Sequence, residues 1–256
     1  MSAPVSGAIW SEEAGPEGAP LIALVHGSMD RSAGLLKLSR RLADDHRVLR
    51  YDRRGYGRSA PHPGPFGMDG QVADLVALLD GRPAVVFGHS YGGNVALAVA
   101  AGRPDLVRAV GVYESPLSWF DWWPRTTAGS GAVAEEGDPA DVAERFMRRM
   151  IGDGRWEHLP PGSRAARRTE GAAMVGELKD LSAHAPWSPD AIRVPALAIH
   201  GSLGAAHHGL STAYLGHVLA DVEVVEIDGA KHFGPNTHPD AVAAEIRALI
   251  ARADRF

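Results

Sequence analysis

The sequence predicts an α/β protein built on one mostly parallel β-sheet, with helices covering both faces. Short runs rich in Val, Ile and Leu alternate with segments of helical length, which is the order of elements that a parallel sheet needs. A buried strand at 84–87 leads through Gly-His-Ser-Tyr-Gly directly into a small-residue helix. The alternation breaks once, at 115–192, so we expect a long insertion there.

Apolar runs bounded by turn residues predict seven strands. These strands cover residues 5–12, 21–25, 46–51, 84–87, 107–113, 196–200 and 222–227. Helical patterns between them predict helices over 32–45, 68–80, 91–102, 207–220 and 239–252.

The insertion is rich in Pro, Gly and Trp and carries two helical patterns, at 138–151 and 163–181. Asp138 followed by Pro139 supplies a helix N-cap and a first-turn proline for the earlier one. An insertion of this length in a regular sheet is typical of a lid rather than of a linker.

The bulk composition excludes several classes of function. The net charge of −5 gives no basic surface for nucleic acid or an anionic membrane. The chain has no cysteine, which excludes disulfides, thiolate nucleophiles and cysteine metal sites. No apolar run is long enough to span a bilayer, and the first residues lack the pattern of a signal peptide. We therefore expect a cytoplasmic enzyme, and the sequence predicts no oligomeric state.

The segment around Ser90 predicts a nucleophilic serine. Gly88 and Gly92 have no Cβ, so the strand can turn sharply into the helix and leave the Ser90 hydroxyl above the sheet. The backbone N–H of Tyr91 would point to the place where an oxyanion forms. The alternative is a glycine-rich turn that happens to contain a serine. The strand–turn–helix context favours the catalytic interpretation.

Four motifs, taken in chain order, resemble those of the α/β-hydrolase family. They are VHGS at 25–28, YDRRGYGRS at 51–59, GHSYG at 88–92 and GAKHF at 229–233. The resemblance covers almost the whole chain and implies a doubly wound sheet of the α/β-hydrolase type. It also implies a helical cap after the family's sixth strand, which here is 107–113. Residues 1–114 and 193–256 would form the core, and 115–192 the cap.

A serine hydroxyl needs a base, and imidazole titrates in the useful range. His232 follows the last predicted strand and matches the loop that carries the family's catalytic histidine; a surface loop histidine is the alternative. His26 is expected to shape the oxyanion turn. His207 and His208 are expected at the surface or the pocket rim, and their adjacency does not supply the ligand spacing of a metal site.

The resemblance also implies an oxyanion hole made by the backbone N–H groups of Ser28 and Tyr91. Arg53, Arg54 and Arg58 could form an anion site, but bracing of loops is the favoured interpretation.

The triad acid is where the sequence departs from the family pattern. Gly204 stands where most relatives place an aspartate. A minority carries the acid after the sixth strand, where this chain has Glu114, and Glu114 keeps the order serine, acid, histidine. Asp121, Asp228 and a serine–histidine dyad remain alternatives, as does a structural role for Glu114 as a cap or salt-bridge anchor.

Aromatic residues of the insertion suggest the substrate. Trp119, Trp122 and Trp123 follow the strand at 107–113 and could form an aromatic wall for substrate, with packing in the core as the alternative. Trp156 and Trp187 are expected in the core. Such a wall would favour an apolar or aromatic group over a sugar or a charged peptide.

The sequence thus predicts a serine hydrolase that cleaves small-molecule carboxylic esters through an acyl-enzyme, with no cofactor and with lactones and thioesters as alternative substrates. A carbon–carbon bond hydrolase, a cofactor-free perhydrolase and a non-catalytic binding protein are the competing hypotheses. Serine rather than aspartate at position 90 argues against an epoxide hydrolase or a dehalogenase.

Overall fold

The computed structural model describes residues 8–255. Its seven strands are β1 (Ser11–Ala14), β2 (Leu21–Val25), β3 (Arg47–Tyr51), β4 (Ala84–His89), β5 (Val107–Tyr113), β6 (Ala196–Gly201) and β7 (Val222–Ile227). They form one sheet in the order β1-β3-β2-β4-β5-β6-β7. β1 is antiparallel to β3, and every other neighbouring pair is parallel. The predicted α/β class with a mostly parallel sheet is confirmed.

The helices are α1 (Leu36–Leu42), α2 (Met68–Leu79), α3 (Tyr91–Gly102), α4 (Ala128–Ala134), α5 (Pro139–Ile151), α6 (Asp153–His158), α7 (Pro161–Thr169), α8 (Gly171–Ala183), α9 (Ala206–Val218), α10 (Gly234–Thr237) and α11 (Pro239–Ala253). Two differences from the sequence prediction lie near the N-terminus. The first strand was expected at 5–12, of which 5–7 lie outside the described residues, and the structure begins it at Ser11. The helix expected at 32–45 is a 3-10 turn followed by the shorter α1.

The period-two alternation of the strands divides the core between the two faces of the sheet. On one face, Ile22 and Phe87 pack with α1 and α11. On the other face, Val86 and Val110 pack with α2, α3 and α9. With both faces buried, the carboxyl-end edge of the parallel strands is the place left for a site.

The insertion, which comprises the residues between β5 and β6, holds five helices (α4 to α8) where the sequence predicted two. α5 begins as expected, because the Asp138 side chain accepts a hydrogen bond of 2.9 Å from the N–H of Ala140. The helix expected at 163–181 is divided at Glu170 into α7 and α8. A Cβ at Gly171 would overlap the Pro139 carbonyl oxygen, so the break lies where α8 crosses the start of α5. The division into core and cap at 114/115 and 192/193 stays a prediction.

Within residues 8–255, no helix is both long and apolar enough to cross a membrane.

Candidate active site

Ser90 lies at the sharp turn between β4 and α3. Its backbone has φ 55° and ψ −125°, a conformation that costs a non-glycine residue strain energy. A Cβ at Gly88 would overlap the Gly92 carbonyl, and a Cβ at Gly92 would overlap the Val25 carbonyl. The N–H of Ser90 donates to the Tyr113 carbonyl oxygen at 2.8 Å, which ties the turn to β5. The sequence therefore needs both glycines to form this turn.

A cavity of about 650 Å³ opens above Ser90, between the sheet edge and the insertion. Ser28, Tyr91 and His232 line it together with Ser90. The structure thus brings the proposed nucleophile, base and oxyanion donors to one cavity, although they are far apart in the chain.

The loop that carries His232 is held in place by contacts with Tyr113 and His89. The Tyr113 hydroxyl donates to the Lys231 carbonyl oxygen at 2.9 Å, and a Cβ at Gly234 would overlap the Tyr113 ring. The His89 Nε2 lies 2.7 Å from the His232 carbonyl oxygen. The elbow residue next to Ser90 therefore holds the histidine loop.

The carboxylate of Glu114 contacts His232 and the backbone of β6. Its Oε2 is 2.7 Å from His232 Nδ1, and its Oε1 accepts the N–H of Gly201 at 3.0 Å. The carboxylate is fully buried. Because Nδ1 is engaged with the carboxylate, Nε2 is the ring atom left for the serine hydroxyl.

Gly204 lies against the carboxylate of Glu114, which directly follows β5. A Cβ at Gly204 would lie 2.6 Å from Glu114 Oε1, so a carboxylate on this loop and the Glu114 carboxylate compete for one space. The backbone of Glu114 has φ 48°, which interrupts the alternation of β5 and turns the side chain. Asp121 is exposed, and Asp228 accepts a hydrogen bond from Ser202, so Glu114 is the acid that contacts His232.

His208 is the residue that the sequence analysis underrated. It was expected at the surface or the pocket rim, but it lines the cavity with a side chain that is 12% exposed. Its ring stacks on His232 with centroids 4.8 Å apart, and its Nε2 is 3.5 Å from Glu114 Oε2. Burial, followed by the nearby His232, holds the pKa of His208 well below its usual value. The signal was its position at the start of α9, directly after β6.

Glu114, His208 and His232 offer three atoms of metal-ligand type within 4.8 Å of one another. A tetrahedral Zn²⁺ with bonds of about 2.0–2.1 Å would separate two ligand atoms by about 3.3 Å. The 2.7 Å between His232 Nδ1 and Glu114 Oε2 fits a hydrogen bond instead. The cluster therefore has the geometry of an acid–histidine pair.

The loop that is predicted to contribute to the oxyanion hole follows β2. His26 is fully buried and shapes this turn as expected, because its Nε2 accepts the N–H of Arg53 at 2.9 Å. A Cβ at Gly27 would lie 2.9 Å from the Ser90 Cβ, so the glycine lets the loop approach the serine. The Ser28 hydroxyl donates to Glu177 of α8 at 2.6 Å, which directs this side chain to the insertion.

The three arginines of the 51–59 motif brace loops, in keeping with the favoured interpretation. The pairs are Arg53–Glu177 (2.6 Å), Arg54–Asp74 (2.7 Å) and Arg58–Asp52 (3.0 Å). Arg53 and Glu177 are both fully buried and join the core to α8. Each arginine already has a carboxylate partner, so the motif is not an anion site.

The expected wall of three tryptophans is not formed, because only Trp123 lines the cavity. Trp119 packs edge-on against Trp187 with ring centroids 5.5 Å apart, and Trp122 is 41% exposed and stacks on Phe120. Other apolar side chains line the cavity instead: Met29, Val133, Phe146, Met147, Met150, Ile151, Leu178 and Phe233. Trp156 and Trp187 are buried, as expected.

The buried His89 predicts a loss of stability in weak acid. Burial, followed by the nearby His232, lowers the pKa of His89 to about 3. Below about pH 6.5, His89 binds a proton in the unfolded chain but stays neutral in the folded protein. The free energy of unfolding therefore falls as the pH falls. From pH 7 to 5.5, His89 alone should cost about 1 kcal/mol of the free energy of unfolding. Urea unfolding of the wild type and of His89→Gln at both pH values measures the difference.

The control for this prediction is His217→Gln, because His217 is exposed on α9. It should keep the wild-type loss of stability. An equal loss in His89→Gln and the wild type would show that His89 does not stay neutral in the folded state.

The chain matches a known family and is similar to several known proteins. The model of the "Alpha/beta hydrolase family" matches residues 22–245. The chain is similar to Lipase LipV of Mycobacterium tuberculosis, 30% identical over 255 residues, with 92% of this chain and 95% of the relative covered. It is also similar to Rhodomycin D methylesterase DnrP of Streptomyces peucetius, 27% identical over 281 residues, with 94% of each chain covered. Among solved structures, the enol-lactonase from Burkholderia xenovorans LB400 has the same fold, with a TM-score of 0.74, 23% identity and coverage of 95% of this chain and 96% of its own.

Proposed function

The chain belongs to the α/β-hydrolase family, and from that membership and the site geometry we propose that it is a serine hydrolase of carboxylic esters. The observation that carries the proposal is the 2.7 Å hydrogen bond between His232 and the buried Glu114, at a cavity that also exposes the strained Ser90. A serine, a histidine and an acid in this order are the parts of an acyl-transfer triad. The lipase and the methylesterase among the relatives support ester substrates.

The first half of the reaction forms an acyl-enzyme. Ser90 Oγ attacks the ester carbonyl carbon while His232 Nε2 takes the hydroxyl proton. The backbone N–H groups of Ser28 and Tyr91 stabilise the negative charge on the former carbonyl oxygen. The intermediate collapses as the carbon–oxygen bond to the alcohol breaks, and the imidazolium gives its proton to the departing alcohol.

The second half releases the acid. His232 takes a proton from water, the resulting hydroxide attacks the acyl carbon, and the proton returns to Ser90 as the ester bond to the enzyme breaks. Glu114 holds His232 Nδ1–H in place and stabilises the imidazolium in both halves. The apolar cavity wall supports substrates with an apolar group beside the ester.

Labelling with a fluorophosphonate tests the proposal directly. The reagent phosphonylates a serine that its own base activates, so we expect stoichiometric modification of Ser90 within minutes, located by peptide mass spectrometry. Ser115→Ala, which removes another buried hydroxyl near the elbow, should still be labelled, and Ser90→Ala should not. Absence of labelling in the folded wild type would favour the non-catalytic binding protein.

A further inference from the structure

The cavity above Ser90 carries positive charge in its wall. Arg149, Arg155 and Lys231 line it, on α5, α6 and the histidine loop respectively. In the part of the chain that the structure describes, none of the three has an ion pair or a side-chain hydrogen bond. Most other arginines of the protein are paired with carboxylates, as Arg145 of α5 is with Glu135. These cations are therefore available to a bound molecule.

A fourth cation in the wall is only half neutralised. Arg167 lines the cavity and donates to the Met29 carbonyl oxygen at 2.7 Å. Its acidic partner is the buried Glu170, 3.3 Å away, but Glu170 also pairs with Arg31 at 2.6 Å. Two guanidinium groups thus share one carboxylate beside the cavity.

Negative charge in the same wall is weak. Asp30 is the acidic residue that lines the cavity, and burial raises the pKa of its carboxyl. His207 and His208 line it as well, and burial lowers the pKa of both, so they stay neutral near pH 7. The wall therefore has a net positive charge in a protein whose overall net charge is −5.

A smaller neighbouring cavity of about 270 Å³ extends this pattern. Five of its lining residues also line the main cavity, and it adds Arg125; the shared residues are Ser118, Trp123, Ser130, Val133 and Ser182. Arg125 also has no ion pair among residues 8–255. Unpaired cations thus lie on more than one side of the space under the insertion.

We propose that this cavity binds a carboxylate of the substrate, so that the ester that Ser90 cleaves carries a negatively charged group next to its apolar part. The inference rests on the proposed function for the identity of the scissile bond. Arg149, Arg155 and Lys231 are exposed residues, and each can form a charge-assisted hydrogen bond to a carboxylate without first breaking an ion pair. The anionic group would then hold the substrate while the carbonyl carbon lies at Ser90.

Two matched pairs of esters test this proposal on either side of the scissile bond. On the acyl side, the mono-4-nitrophenyl ester of adipic acid is compared with 4-nitrophenyl hexanoate. On the alcohol side, 4-carboxyphenyl butyrate is compared with its neutral isostere, 4-carbamoylphenyl butyrate. We expect kcat/KM to be at least tenfold higher for the carboxylate in at least one pair, and 0.5 M NaCl to reduce that ratio.

Variants then locate the preference. Arg149→Gln and Arg155→Gln should each reduce several-fold the ratio of kcat/KM for the carboxylate ester to kcat/KM for its neutral partner. Arg145→Gln is the matched control on α5, because Arg145 is exposed like Arg149 but is paired with Glu135; it should keep the preference. Equal or lower kcat/KM for the charged member of both pairs would overturn the proposal.

A binding measurement separates this proposal from the proposed function. Trp123 in the wall supplies a fluorescence signal. In Ser90→Ala, 5-phenylpentanoate should bind at least tenfold more tightly than 5-phenylpentanamide, and Arg149→Gln should remove most of the difference. If the wild type cleaves no ester but the carboxylate binds preferentially, the proposed function fails and the anion site stands. If the amide binds as well as the carboxylate, the anion site fails whatever the hydrolysis shows.

Discussion

Alanine at position 90 should reduce ester hydrolysis to the background rate and leave the fold intact. Ser90 supplies the proposed nucleophile, and loss of a triad member typically lowers kcat by about 10⁴–10⁶-fold. The change removes one hydroxyl oxygen that lines a cavity, so the melting temperature should stay close to that of the wild type. Initial rates with 4-nitrophenyl butyrate and thermal unfolding of the same preparation measure both effects.

Ser90→Gly is the matched control for this experiment. The backbone at position 90 has φ 55° and ψ −125°, which glycine adopts without strain. The glycine variant should therefore be as inactive as the alanine variant. Its free energy of unfolding should exceed that of the alanine variant by about 1 kcal/mol or more. Residual activity of either variant above one-hundredth of the wild type would contradict the role of Ser90.

His232 is the proposed base for Ser90, so the effect of losing it should not add to the effect of losing Ser90. His232→Ala leaves the serine without a base, so the single variant should be nearly as inactive as Ser90→Ala, and the double variant no slower than either. A double variant that is much slower than both singles would mean that the two residues act independently.

The sequence predicted the sheet and the elbow because both depend on local patterns. The strands are short apolar runs, and the turn at Ser90 needs Gly88 and Gly92 because side chains there would overlap neighbouring backbone. Such requirements place glycines at a fixed spacing around the serine, and this spacing can be recognised in the sequence. The His232 loop was found in the same way, through a motif at the end of a strand.

What the sequence did not predict depends on contacts between distant segments. The break between α7 and α8 lies beside Gly171, where a Cβ would overlap the Pro139 carbonyl oxygen, and the sequence of 163–181 does not show that this distant segment lies there. The sequence places Trp119 and Trp122 shortly after β5 but does not give the direction of their rings. In the structure, Trp119 packs against Trp187, and Trp122 packs against Phe120. The contact of His208 with Glu114 and His232 was not predicted, because His232 lies more than twenty residues later in the chain.

The second large effect should come from Glu114→Gln, which alters one carboxylate oxygen and tests the least regular part of the site. Glu114 Oε1 accepts the buried N–H of Gly201 at 3.0 Å, so a glutamine must place its carbonyl oxygen there to avoid an unpaired donor. Its NH₂ group then faces His232 Nδ1, which must accept. The proton moves to Nε2, and the imidazole can no longer take the proton of Ser90. We expect kcat to fall by about 10³–10⁴-fold, the size of the effect when a triad aspartate becomes asparagine, with little change in KM.

The position of Gly204 supplies the complementary experiment. In the wild type, a Cβ at Gly204 would lie 2.6 Å from Glu114 Oε1, so an aspartate at 204 becomes acceptable only when the Glu114 side chain is shortened. Glu114→Ala should be as impaired as Glu114→Gln, and Glu114→Ala combined with Gly204→Asp should recover at least tenfold of the lost kcat, because a carboxylate again reaches the same space beside His232. Gly204→Asp alone should lower the melting temperature, since two carboxylates then compete for one buried site. If Glu114→Gln instead lowered the melting temperature and left kcat within a few-fold of the wild type, Glu114 would be a structural anchor, and the hydrolase would work through Ser90 and His232 alone.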